Sequence, residues 1–281
     1  MKLLRFGPAG EERPGLLDNH GTIRDLSGIV RDIDGAALSP ASLAKLAALD
    51  PATLPAVEDS PRLGAPVALP RNFFCIGLNY SDHAAETNNP IPKEPIVFLK
   101  SLGAYSGPND DVVIPRSSKK TDWEVELGIV IGTGGSYVPE NEALDHIAGY
   151  TIINDVSERE YQIERGGTWD KGKGCPTFGP IGPWVVTKDE IPDPHNLKMF
   201  CDVEGQRMQD GSTKTMIFGV RKLVSYISHF MQLFPGDVIA TGTPPGVGMG
   251  KKPPVFLRAG QMMRLGIEGL GEQRQRVVGL D

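Results

Sequence analysis

The stretch TDWEVELGIVIG, residues 121 to 132, carries three acids at alternate positions of an otherwise apolar run. Side chains alternate across a strand, so Asp122, Glu124 and Glu126 share one face and Trp123, Val125, Leu127, Ile129 and Ile131 the other. The pattern suits an edge strand whose acidic face meets water. It also suits a buried face, because the acids are followed on the same side by Gly128, Val130 and Gly132. Buried carboxylates need pairing, hydrogen bonds or a metal. Two glutamates at i and i+2 on a rigid strand can share one hard cation such as Mg²⁺ or Mn²⁺. A third oxygen ligand is offered by Asp155, which ends a second apolar strand in GYTIINDVSERE; capping a helix over SEREYQIE accounts for it equally well.

A second reactive pair lies in GLNYSDHAAET, where His83 and Glu86 fall three residues apart and would meet on one side of a helical turn. A carboxylate beside imidazole fixes its tautomer and raises its basicity, as a general base requires. An exposed ion pair is the commoner use of that spacing. Farther on, GTWDKGKG fits GxxxxGK but has Gly174 where a phosphate loop needs Ser or Thr, and no buried strand precedes it. Nucleotide binding is therefore a poor reading, which leaves Lys171 and Lys173 either solvated or facing an anionic substrate group. ATGTPPGVGMG also lacks the context of a dinucleotide site. Its Thr243 either hydrogen-bonds a carboxylate or belongs to an ordinary turn.

Short β-rich runs separated by Gly and Pro turns must position these groups, among them FFCIGLNY, PIVFLK, VELGIVIG, AGYTIINDVS and DVIATGT. One amphipathic helix, VRKLVSYISHFMQLF, puts Val220, Leu223, Val224, Ile227, Met231 and Phe234 near one face. The fold class predicted is α+β and mostly β, a mixed-sheet body with a few helices. Residues 1–65 read as a small N-terminal α/β domain, with strand-like KLLRFG, RPGLLD and TIRDLS and a helix capped by Ser39. Prolines at 51, 55, 61, 66 and 70 mark a linker into a body spanning 66–281. With 35 acidic against 29 basic residues and a net charge of -6, the surface disfavours nucleic acid and anionic membranes as partners. No run reaches the length of a membrane span, and the amino terminus has no signal-peptide core. Cys75, Cys175 and Cys201 are odd in number and form no CxxC. A reducing, cytoplasmic setting is expected.

Taken together, GLNYSDHAAE, DWEVELGIVIG, INDVSERE, KGKGCPTFGPIGPW, MQDGSTKTMIF and PGDVIATGTPPGVG resemble the fumarylacetoacetate hydrolase family, in the family's order. The resemblance implies a mixed β-sandwich roll, Mg²⁺ or Mn²⁺ as cofactor, a 2-oxo acid substrate of acylpyruvate type, and a homodimer or higher homo-oligomer. It makes Glu124, Glu126 and Asp155 metal ligands, His83 and Glu86 a catalytic lid dyad, Lys173 the active-site lysine, and Arg159, Gln162 and Thr243 substrate contacts. Pro176 departs from the pattern, since relatives often carry Asp there. ERGGTWDKGKGC, GTPPGVGMGKKPP and LGIEGLGEQRQ look most like hydrolases of 2,4-dioxo-3-deoxy sugar acids. Their substrates include 2,4-didehydro-3-deoxy-L-rhamnonate, cleaved to pyruvate and a hydroxy acid such as lactate. Isomerase, tautomerase, oxaloacetate decarboxylase and ureidoglycolate lyase activities are the alternatives on that scaffold.

Overall fold

Alternation decides the centre of the molecule. In a computed structural model that describes residues 1–280, every side chain of the strand Val125–Ile131 is buried. Val125, Leu127, Ile129 and Ile131 enter one hydrophobic core and Val130 a second core. The strand pairs antiparallel with Ile147–Asn154 on one side and Val238–Ala240 on the other. Val238–Ala240 runs parallel to Phe73–Gly77, which pairs antiparallel with the edge strand Ile96–Leu99. The inner strands, covered on both faces, read as nearly unbroken apolar runs, FFCIG and VIA among them.

The resulting sheet has eleven strands, and a second sheet has five. From the five-stranded sheet, Met199, Cys201, Val203, Met263, Leu265 and Ile267 pack into the first core. The structure is mostly β with mixed sheets and short helices, as the run of short β segments predicts. The helix Val220–Ser228 buries Val220, Leu223, Val224 and Ile227 in that same core. It stops short of the predicted run to Phe234 where two remote residues take up the polar groups of Ser228. The Ser228 carbonyl accepts the Tyr137 N–H, its hydroxyl accepts the Val138 N–H, and Phe230 is left exposed.

Residues 1–65 add their strands to the large sheet. Lys2–Phe6 pairs antiparallel with Gly179–Thr187, with Leu3 opposite Val185. Arg13–Leu17 and Ile23–Asp25 extend that edge, and Leu63–Gly64, within the expected linker, pairs with Arg5 and Phe6. The helix Pro40–Ala47 begins where Ser39 Oγ accepts the Ser42 N–H, and it buries Leu46. Leu3, Leu16, Leu38 and Leu46 share the second core with Phe73, Ile153, Ile181 and Val238. Sheet and core are thus continuous across residue 65. Among the described residues, no helix is long and apolar enough to cross a membrane.

Candidate active site

The three carboxylates predicted to meet do so. Glu124 lies just before the central strand and Glu126 within it. Asp155 follows the end of the antiparallel neighbour, where its N–H donates to the Glu124 carbonyl. One carboxylate oxygen from each lies within 4.8 Å of the others, and all three residues are buried. Hard oxygen donors on two adjacent rigid strands fit a small divalent cation.

Buried cations surround this cluster. Lys173 Nζ lies 2.7 Å from Glu124 Oε2 and 2.8 Å from Asp155 Oδ2. Lys100 donates to Asp155 Oδ1 and to the Val156 carbonyl. The Arg159 Nε donates to Asp122 Oδ2 at 2.8 Å, and its Nη2 makes ion-pair contacts with Asp122 and Glu124 at 2.8 and 2.7 Å. Asp122, Glu124, Glu126 and Asp155 outnumber Lys100, Arg159 and Lys173 by one charge. The acids respond differently to that imbalance. Burial would raise Glu124, but Lys173 and Arg159 outweigh it and push its carboxyl down to about 2. Burial followed by repulsion from Asp155 and Glu124 holds Glu126 well above the usual carboxylate range, despite the Gly242 N–H on its Oε2. Glu126 therefore holds a proton to higher pH than an ordinary carboxylate does. Carboxylate oxygens crowded closely enough to repel one another in this way fit a metal ion.

His83 and Glu86 sit on the helix Ser81–Glu86, with His83 Nδ1 3.0 Å from Glu86 Oε2. Asn79 fixes the junction ahead of that helix, donating to the Phe218 and Thr241 carbonyls and accepting the Phe218 N–H. Thr87 closes the helix by donating to the His83 carbonyl. Glu86 also accepts the Gly246 N–H. Burial raises its carboxyl, but His83, that amide and the charge of Lys251 together leave it below the usual range.

His83, Glu124, Glu126, Arg159, Gln162, Lys173 and Thr243 line one cavity of 280 Å³. A larger cavity of 530 Å³ beside the N-terminal hairpin holds none of them. Within the site, Gln162 Oε1 accepts from Arg159 Nη1 at 3.0 Å, which leaves its amide NH₂ as the donor for a ligand. The Thr243 hydroxyl donates to the Val125 carbonyl and accepts from Gln209, so it also pins the turn to the central strand. Lys171, the other lysine of GTWDKGKG, is exposed and donates to the Arg165 carbonyl.

Sequence reasoning missed Lys100 and the part played by Asp122. Lys100 follows an edge strand, and only the fold brings it to an acid 55 residues away. Asp122 was legible as an acid on the right face. Its use was not: besides holding Arg159, it accepts the N–H groups of Gly248 and Met249.

The model of the fumarylacetoacetate (FAA) hydrolase C-terminal region matches residues 72–278. Over 277 residues the chain is 62% identical to a protein of Burkholderia orbicola (strain MC0-3), provisionally named a hydrolase, with 98% of each covered. Among solved structures it is similar to a maleylpyruvate hydrolase from Sphingobium sp. SYK-6, with TM-score 0.82 and 29% identity. It is also similar to a 5-carboxymethyl-2-hydroxymuconate delta-isomerase from Mycobacterium smegmatis, with TM-score 0.77 and 32% identity. Both structural matches cover 100% of each chain. From the matched region, from the high identity along the chain and from the shared fold, the chain belongs to the fumarylacetoacetate hydrolase family.

Proposed function

We propose that this protein is a metal-dependent hydrolase that cleaves the bond between C3 and C4 of a 2,4-dioxo acid of acylpyruvate type. The observation that carries this reading is one cavity lined by Glu124 and Glu126 of the carboxylate triad, a buried lysine and a histidine already oriented by a glutamate. A divalent cation held by Glu124, Glu126 and Asp155 would supply Lewis acidity to the substrate's oxo group and neutralise enolate charge. The Gln162 NH₂ donates to the substrate's carboxylate end. Glu86 holds the Nδ1 side of His83, which leaves Nε2 to take a proton from water as its oxygen attacks C4. The C3–C4 bond then breaks, and its electron pair passes to the pyruvate enolate. Lys173 lies where its ammonium balances the negative charge, and burial is outweighed by Asp155 and Glu124 so that it stays protonated. Protonation at C3 completes pyruvate, and the acyl half leaves as a carboxylate.

The sugar acid 2,4-didehydro-3-deoxy-L-rhamnonate is the substrate we assign within this class; it would give pyruvate and lactate. Purified protein with this acid and Mn²⁺ or Mg²⁺ should release the two products in equal amounts, and chelator should stop the reaction. His83→Ala should lower kcat by about 10²- to 10⁴-fold. The structural likeness to an isomerase supports a second reading, in which an enolate is reprotonated at another carbon with no C–C bond broken. Accumulation of an isomer without pyruvate would select it.

A further inference from the structure

Part of the cavity wall has no task in this chemistry. Ile76, Leu78, Ile96, Phe98, Ile163 and Trp169 present apolar surface there. The Phe98 ring lies 5.3 Å from Lys173 Nζ, so this surface begins beside the active-site ammonium. Trp169 continues it, meeting Phe98 edge-on with ring centroids 5.2 Å apart. Backbone geometry puts Trp169 in place. Gly166 and Gly167 turn the chain just ahead of it at φ of +86° and +81°, values that glycine adopts without strain. Opposite, Gly77 leaves room for the indole, which a Cβ at residue 77 would approach to 2.3 Å. Ile96 and Ile163 stay 39% and 53% exposed beside this wall, large apolar groups of the kind that a ligand covers. Of the polar side chains at its edge, Thr87 donates to the His83 carbonyl and the Asn89 amide donates to Thr87.

We propose that Phe98 and Trp169, seated over Gly77, form a subsite for a hydrocarbon end of the acyl group. The enzyme then prefers acylpyruvates that end in methyl to isosteric ones that end in hydroxyl. The subsite rests on the acylpyruvate reading above and deepens it. A hydroxyl moved against the Phe98 ring and the ring face of Trp169 exchanges water for hydrocarbon, whereas a methyl gains burial. A sugar acid that ends in methyl, as the rhamnonate skeleton does, suits the wall; one that ends in hydroxymethyl does not.

The test compares kcat/KM for butanoylpyruvate and for 3-hydroxypropanoylpyruvate, which differ only in CH₃ against OH at the chain end. Wild-type protein and Trp169→Ala are assayed with Mn²⁺, and Mn²⁺ affinity is measured by calorimetry to check that the metal cup is intact. The wild type should favour the methyl compound about 10- to 100-fold, the range a pocket gives for one group of this size. Trp169→Ala should bring that ratio close to unity, chiefly through a higher KM for butanoylpyruvate, with Mn²⁺ affinity kept. If that variant does not fold, Trp169→Phe and Ile163→Ser should move the ratio in the same direction by less. Equal use of both compounds by the wild type, or a ratio untouched in all folded variants, overturns the subsite and leaves the acylpyruvate reading standing. No pyruvate from either compound or from acetylpyruvate overturns that reading, and the subsite with it.

Discussion

Glu126 and Lys100 make the residue scale testable. Burial beside Asp155 and Glu124 raises the Glu126 carboxyl above its ordinary 4.5. The folded chain therefore keeps a proton that the unfolded chain has released, and stability falls as pH rises from about 4.5 toward the raised folded value. A divalent cation bound by the triad would replace that proton. Mn²⁺ should accordingly raise Tm by a margin that grows as pH rises above about 4.5, and a shift independent of pH would remove Glu126 from the ligand set. Lys100→Met should cost the metal-free protein about 3–5 kcal/mol, because it strands the buried Asp155 beside the other acids. Urea melts with Mn²⁺ should recover part of that loss. The two glutamates could be read from their spacing, since i and i+2 on a strand fixes a shared face. Lys100 could not, because its acid lies beyond the end of a different strand and no local pattern links them.

Local pattern serves well for the start of an element and poorly for its end. Ser39 capped its helix as expected, and the apolar stripe of Val220–Ser228 was visible in the sequence. Its last turn was lost to Tyr137 and Val138, remote residues that claim the Ser228 carbonyl and hydroxyl. Leu223→Ala should lower stability by about 2–5 kcal/mol in urea unfolding, through the cavity left in the first core. The helix Ser81–Glu86 is tied to the glycine turn by Glu86, which accepts the Gly246 N–H. The folded carboxyl lies below its unfolded value, so this fastening is complete above about pH 4.5 and is lost as pH falls through the lowered folded value. Hydrogen exchange at Gly246, corrected for intrinsic rate, should speed up on acidification. Glu86→Gln should remove most of that dependence.

At the scale of the molecule, strand partners were the hidden quantity. KLLRFG reads as a strand, yet nothing within it names Gly179–Thr187 as its neighbour, since pairing across more than 170 residues is a property of the whole fold. The body that holds the site was readable because its motifs fall in a family's order. The attachment of residues 1–65 was not, and a shared sheet and core now suggest a prediction. Calorimetry should give one cooperative transition, and a chain starting at residue 66 should bind a hydrophobic dye, having uncovered Ile181 and Val185. Two separate transitions would instead show an independent N-terminal domain.

The turn from Gly246 to Gly250 grips both sides of the site, Glu86 through one amide and Asp122 through two more. A Cβ on Gly246 would lie 2.1 Å from the Met208 carbonyl oxygen, and one on Gly248 1.9 Å from that of Val255. Its length is as constrained as its composition. One inserted or deleted residue would pull His83, through Glu86, and Arg159, through Asp122, out of step together, so this turn resists changes of length that an exposed loop would absorb.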